Sequence, residues 1–377
     1  MLQNQLYKQI QESISRWLRS SEVDSCVEID SGIAALGSVL GKRSENQDRT
    51  LFIRVKSSDL QKPSIAALVL CDGMGGMMSG SDCATLAIST FTTALLNRST
   101  VDTLERANLA VRDANNAVYS KFQGRGGATL SAIICSETND WVGVNVGDSR
   151  IYALFNNGLV EQLTVDDTLE KQLADLNLPS PPPEFRQLLQ YVGIGKEMEP
   201  RLFKPKNISD IRWLFITSDG AHSIPDAILQ PLVNHSRTPK DFVFRLTELS
   251  NWLGGKDNAT VASLAVGNSI FSSNGDLDSI EIWSVFGKMD LMIVNDLSNE
   301  TPLNFHSSTS TNDVYTIKDT AKQEEVKLKR KPHKKTNDSS IMVTASNEKY
   351  GDRIDSPIKG EGEKSIPQLK INFSEDS

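Results

Sequence analysis

Short apolar runs alternate with amphipathic stretches through about two thirds of this chain, and the alternation stops well before its end. At the start, Leu2, Leu6, Ile10, Ile14, Trp17 and Leu18 recur at helical spacing and form one apolar stripe. That stripe predicts a helix docked on the body of its own domain, followed by a polar break at Ser21–Ser25. Strand-like runs come next at Arg49–Val55, Leu68–Cys71, Ala128–Cys135, Trp141–Val146, Ile151–Phe155, Trp213–Thr217 and Ala259–Val266. Helical stretches fall at 81–96, 103–122 and 238–253. Tight turns such as Asn156-Asn157-Gly158 join sequential strands, which indicates antiparallel pairing and a layered α+β domain.

Two stretches interrupt that texture. Residues 165–190 are polar and carry Pro179 and Pro181-Pro182-Pro183, so helix is expected before the prolines and not through them. Ile280–Val294 reads as a hairpin around Phe286-Gly287-Lys288. From 298 onward the chain is rich in Ser, Thr, Asn, Lys and Glu, a composition that predicts disorder, with a basic cluster at Lys327–Lys331 and Lys334-Lys335. The expected organisation is an N-terminal helical extension over 1–26, a catalytic-type domain over 27–268, a hairpin segment over 269–297 and a tail over 298–377 that is a candidate for binding a protein partner.

Composition narrows the function. The net charge of −8 over 377 residues disfavours nucleic-acid binding and suits a carboxylate-rich site that takes cations. Cys26, Cys71, Cys83 and Cys135 are widely spaced with no CxxC, which points to a reducing compartment and away from disulfides or a thiolate zinc site. With only four histidines, a His-built site is not expected. There is no signal-peptide core and no run near the roughly 18 apolar residues of a membrane span, so the expected location is cytoplasmic.

The candidate chemistry centres on Leu68-Val69-Leu70-Cys71-Asp72-Gly73-Met74-Gly75-Gly76, a strand that ends in a carboxylate and a glycine turn. Asp72 and the adjacent Gly73 carbonyl are two hard oxygen donors side by side, suited to Mg²⁺ or Mn²⁺. The arrangement repeats: Asp48, Asp148, Asp219 and Asp257 also lie at strand ends or beside glycine turns. Carboxylates packed together repel unless protons or cations neutralise them, and two divalent ions would also activate a water near neutral pH. Arg43, five residues before Asp48, is the natural clamp for an anionic group.

Six segments, in order, carry a resemblance: Gly41-Lys42-Arg43-Ser44-Glu45-Asn46-Gln47-Asp48, Asp72-Gly73-Met74-Gly75-Gly76, Gly127-Ala128-Thr129-Leu130, Gly147-Asp148-Ser149-Arg150, Ser218-Asp219-Gly220 and Lys256-Asp257-Asn258-Ala259-Thr260. Over roughly residues 30–268 the chain resembles the metal-dependent protein phosphatases of the type 2C family, in their bacterial form. The resemblance implies a four-layer α-β-β-α sandwich of two antiparallel sheets flanked by helices, with the metals in a cleft at one edge. It implies a serine/threonine protein phosphatase acting through a metal-activated hydroxide at a binuclear Mn²⁺ or Mg²⁺ centre, without a phosphoenzyme. Asp72 would bridge the two ions. The Gly73 carbonyl would bind one of them and Asp219 with Asp257 the other. Asp48 would hold their waters, Asp148 would help hold a third, weaker ion, and Arg43 would take the substrate phosphate. The partners implied are phosphorylated proteins, among them a serine/threonine kinase or its targets.

Three positions depart from the family pattern. Met74 replaces a histidine proposed elsewhere as general acid, as is common in bacterial members. Asp167 in Thr164-Val165-Asp166-Asp167-Thr168 replaces a usual histidine, and reads as a peripheral change. Ser223 replaces a frequent aspartate four residues after Asp219, which weakens the case for a third ion; His222 beside it reads as structural. The alternative from another class is a catalytically inactive, phosphatase-like binding module, which would have no need of Arg43 and the full set of acids.

Overall fold

In strand β4 (Ile65–Asp72), Ile65, Ala67, Val69 and Cys71 join one apolar cluster while Ala66, Leu68 and Leu70 join another. Period-2 alternation with both faces apolar means that the strand is covered on both sides. The same holds for β10 (Ile211–Thr217), where Ile211, Leu214 and Ile216 face the cluster shared with β4 and Trp213 and Phe215 face a third. Three stacked cores separate four layers.

This computed structural model describes residues 2–19, 24–57, 64–74, 79–98, 101–179, 187–271, 279–292, 305–308 and 314–317. Gly75, Gly76, Pro181–Pro183 and the basic cluster at 327–335 lie outside the described residues.

One sheet has six strands in the spatial order β1 (Ser25–Ile29), β2 (Ala34–Val39), β11 (Ala259–Ala265), β10, β7 (Arg150–Phe155) and β8 (Val160–Gln162). The other has seven: β13 (Gly287–Met292), β12 (Ser279–Ser284), β3 (Asp48–Val55), β4, β5 (Leu130–Ser136), β6 (Trp141–Val146) and β9 (Arg201–Phe203). The pairings within both sheets are antiparallel. Outside the seven-stranded sheet lie α1 (Leu2–Leu18), α2 (Gly80–Asn97) and α3 (Thr103–Phe122); outside the six-stranded one lie the short α5 (Asp219–His222), α6 (Asp226–Asn234) and α7 (Pro239–Trp252). The turn of helix α4 (Leu169–Asp175) belongs to the 165–190 insertion. The expected four-layer α+β sandwich is the observed one.

The periodic stripe of α1 docks as predicted: Ile10, Ile14 and Leu18 are buried, and Gln11 and Ser15 hydrogen-bond to Thr90 and Ser89 of α2. The hairpin read as a segment of its own over 269–297 is built into the second sheet, because β12 pairs with β3 from Ile280↔Val55 to Trp283↔Phe52. Its turn meets α1, where Trp17 and Phe286 pack edge to face at 4.8 Å. Within the stretch expected to be disordered, Phe305–Ser308 and Val314–Ile317 pair as a short ribbon. The run Val314-Tyr315-Thr316-Ile317 is β-branched and aromatic, a local strand preference that the average composition hides. The rest of the tail lies outside the described residues.

Candidate active site

The register of β3 against β4 sets Asp48 opposite Asp72. Immediately beyond, the chain must pass through a narrow gap: a Cβ on Gly73 would strike the Gly80 carbonyl and come within 2.9 Å of the Gln47 carbonyl. Glycine is required there by close approach. Asp72 is fixed on its other side by Thr129, just before β5, its N–H donating to Thr129 Oγ1 (3.0 Å) and its carbonyl accepting from Thr129 N–H (2.8 Å).

Two loops from distant parts of the sequence clasp each other at the same end. Gly41 adopts φ +62° against the backbone of Gly255 and Asp257, and Lys42 N–H donates to the Gly255 carbonyl at 2.7 Å. Asn258 completes the clasp. Its side-chain amide donates to the Leu40 and Glu45 carbonyls, and its Oδ1 accepts from Gln47 N–H. Composition alone does not assign Asn258 this work; it follows from the two loops meeting across more than 200 residues of sequence.

The result is a cleft of about 470 Å³ lined by Arg43, Gln47, Asp72, Gly73, Met74, Thr129, Asp148, Gln187, Leu188, Asp219 and Asp257. Six of the seven residues singled out in the sequence therefore share one cavity. Asp48 stands behind the wall, buried, with Oδ2 accepting from Ser218 Oγ at 2.8 Å and Oδ1 with no hydrogen bond of normal geometry among the described residues. Gln187 and Leu188, from the insertion, are cleft residues that carry no sequence signal of their own. Ser223 is exposed and donates to the Gly220 carbonyl, away from the cleft lining. His222 hydrogen-bonds to Thr217 Oγ1 at 3.0 Å, and burial with the Arg150 charge lowers its pKa to about 3, so it is a neutral structural residue.

The acids feel one another. Burial raises the Asp72 carboxyl well above its ordinary value, and the charges of Asp48, Asp219, Asp148 and Asp257 raise it further. Burial pushes Asp48 up to about 6 and Asp148 up to about 7, in both cases reinforced by Asp219. Asp219 is raised by burial and by Asp257. Cations offset part of this: Arg150 pulls Asp148 down, and Arg43, whose Nη2 lies 2.5 Å from Asp257 Oδ2, pulls Asp219 down.

The donor set fits hard divalent ions. The anionic side chains of the lining are the carboxylates of Asp72, Asp148, Asp219 and Asp257, the Gly73 carbonyl stands beside Asp72, and a buried Asp48 oxygen has no hydrogen bond of normal geometry among the described residues. Among the described residues no three acidic, imidazole or thiol groups close on one point.

Two helix-flanked antiparallel sheets with an acid-lined cleft between their ends are the architecture of the PPM, or type 2C, protein phosphatases, and solved bacterial members share it. The resemblance read from the six motifs thus holds. No protein-family profile matches the chain. Among individual proteins, the chain is 31% identical over 229 residues to the serine/threonine protein phosphatase PstP of Mycobacterium tuberculosis, covering 57% of this chain and 43% of that relative. It is 28% identical over 210 residues to the serine/threonine phosphatase Stp of Listeria innocua, covering 52% and 82%. The crystal structure of the PstP catalytic domain with two manganese ions superposes with a TM-score of 0.51 at 26% identity, over 65% of this chain and all of that one. The chain therefore spans less than half the length of the mycobacterial relative it matches.

Proposed function

We propose that this chain is a metal-dependent serine/threonine protein phosphatase acting on phosphoserine and phosphothreonine in cytoplasmic proteins. The observation that carries the reading is convergence. Arg43, Asp72, Asp148, Asp219 and Asp257, drawn from five of the six ordered motifs, line one cleft.

Two Mn²⁺ or Mg²⁺ ions, when bound, would neutralise the carboxylates, polarise the phosphoryl group and lower the pKa of a water toward neutrality. The chain's own residues hold and aim. Asp72 and the Gly73 carbonyl, fixed by Thr129 and by the gap that admits only glycine, would be the central ligands. Asp219 and Asp257 would supply ligands from the opposite wall, and Asp148 would help hold a third, weaker ion. Asp48 backs the cleft, its geometry set by Ser218. Arg43, side chain 44% exposed, can turn its guanidinium from Asp257 to a phosphate, two oxygens at a time. Met74 offers no proton at the cleft, so solvent protonates the leaving alkoxide. Keeping every acid together with Arg43 favours an enzyme over an inactive module, since clustered carboxylates are costly to hold without a use.

The test is Mn²⁺-dependent hydrolysis of an aryl phosphate, followed by comparison of phosphothreonine peptides with small phosphoesters. Turnover of peptides above that of small metabolite-like esters is expected. Absence of turnover with both, at saturating Mn²⁺, would leave the inactive module as the reading.

A further inference from the structure

Asp167, which reads from sequence as a peripheral replacement of histidine, is a junction in the structure. It is buried, and it satisfies both main-chain groups of Gly147: Asp167 N–H donates to the Gly147 carbonyl (3.0 Å), and Gly147 N–H donates to Asp167 Oδ2 (3.2 Å). The other carboxylate oxygen, Oδ1, accepts from Arg201 Nε at 2.7 Å. Its carbonyl accepts from Leu189 N–H, also at 2.7 Å. The residue after Gly147 is Asp148, and the two before Leu189 are Leu188 and Gln187; all three line the cleft.

Gly147 cannot adapt to a change at this point. It holds φ +104°, and a Cβ there would sit 2.7 Å from the Thr129 side chain. Apart from Asp167, its carbonyl is held by Asn145 Nδ2 at 3.2 Å. The place of Asp148 thus depends on how the turn before it is tied, and Asp167 ties it through two hydrogen bonds.

We propose that Asp167 is a positioning residue that sets Asp148 in the cleft, holding Gly147 with one carboxylate oxygen while Arg201 holds the other. The chemistry explains why this chain departs from histidine here. A neutral imidazole has one acceptor nitrogen, and it cannot take donors from both Gly147 and Arg201; a carboxylate can, and the charge of Arg201 strengthens the arrangement. Asp167 and Arg201 therefore act as a unit. The inference rests on the phosphatase reading only for the divalent ion that Asp148 serves.

The test uses the full chain and Mn²⁺ alone, read in two ways: free Mn²⁺ counted by electron paramagnetic resonance, and the Mn²⁺ needed for half-maximal turnover of an aryl phosphate. Asp167→Ala is expected to raise that requirement about tenfold and to weaken the looser Mn²⁺ binding by a similar factor. Arg201→Ala, a change at a half-exposed side chain that does not threaten folding, shifts both the same way by about threefold. In an Asp148→Ala background neither substitution adds a further shift. Wild-type Mn²⁺ binding curves in both variants would overturn the proposal, as would an equal shift with and without the Asp148 carboxylate. Should Asp167→Ala not fold, Arg201→Ala decides alone. Because the binding curves need no turnover, a protein that hydrolyses nothing still gives the answer, and failure of the phosphatase reading is seen separately.

Discussion

In the proposed reading Asp72 and Arg43 divide the work of the cleft, and each makes a distinct prediction. Asp72 feels four neighbouring carboxylates and, among the described residues, pairs with no arginine, so cations held in the cleft would relieve its charge. Asp72→Asn is expected to keep the fold, by circular dichroism, and to reduce Mn²⁺-dependent turnover to the metal-free background. Substantial turnover in that variant would remove Asp72 from the centre. Arg43 is paired with Asp257 at 2.5 Å, and a phosphate must compete for it. Its bonds to a charged partner are worth about 1.5–3 kcal/mol, so Arg43→Ala is expected to lower kcat/KM on a phosphopeptide by roughly 10- to 100-fold. The loss falls mainly on KM if the contact is made in the ground state and on kcat as well if it tightens as charge develops. Unchanged steady-state constants would sink the assignment.

Among elements, the C-terminal hairpin shows what a strand pairing costs when it buries charge. Arg54 on β3 is 1% exposed, with its guanidinium between Glu281 and Asp30 and over the Trp283 ring; Lys288 closes on Glu281 from β13. Removing one member strands the others, and Arg54→Met is expected to lower unfolding free energy by about 3 kcal/mol in urea. Burial alone would raise the Glu281 carboxyl, but hydrogen bonds from Lys288 and Arg54 hold it below its ordinary 4.5. A depressed folded value adds stability above the unfolded one, and that contribution fades as pH falls through the folded value. The deficit of Glu281→Gln should therefore be full at pH 6 and shrink toward pH 3; a deficit independent of pH would show that the charge is not what matters. This hairpin was legible as a hairpin, because Phe286-Gly287-Lys288 marks its turn, but not as part of a sheet, since pairing with β3 is a contact across more than 220 residues. Strand β4 was legible because both of its faces are apolar. Helix α6 was not, since Pro231 interrupts its nine residues and disguises the buried face formed by Leu229, Leu232 and Val233. At the site, acids beside glycines could be read one by one, whereas Gln187 and Leu188 reach the cleft only through the fold of the insertion, which no local pattern encodes.

In the whole molecule, the cleft collects acids from both layers. Asp48 and Asp72 belong to the seven-stranded sheet, Asp219 and Asp257 flank strands of the six-stranded one, and Asp148 lies on the turn that crosses between them. Folding brings like charges together at the end of the sandwich where β2 leads into β3 and β6 into β7, so the folded chain carries a repulsion that the unfolded chain does not. Divalent ions shared between the layers would turn that repulsion into a cross-link between the sheets. Since the unfolded chain has no such site, binding adds directly to stability: with Mn²⁺ at about 100 times its dissociation constant the gain is about 2.7 kcal/mol. For a folded body of this size that is a rise in Tm of roughly 5–10 °C, reversed by a chelator. Asp72→Asn makes the sharper test. With chelator present it should melt at or above the wild-type temperature, because one of the crowded charges is gone, and added Mn²⁺ should then raise its Tm by much less than in the wild type. An undiminished Mn²⁺ shift in Asp72→Asn would place the stabilising ions outside this cleft, and a lower Tm in chelator would mean that Asp72 supports the fold in its own right.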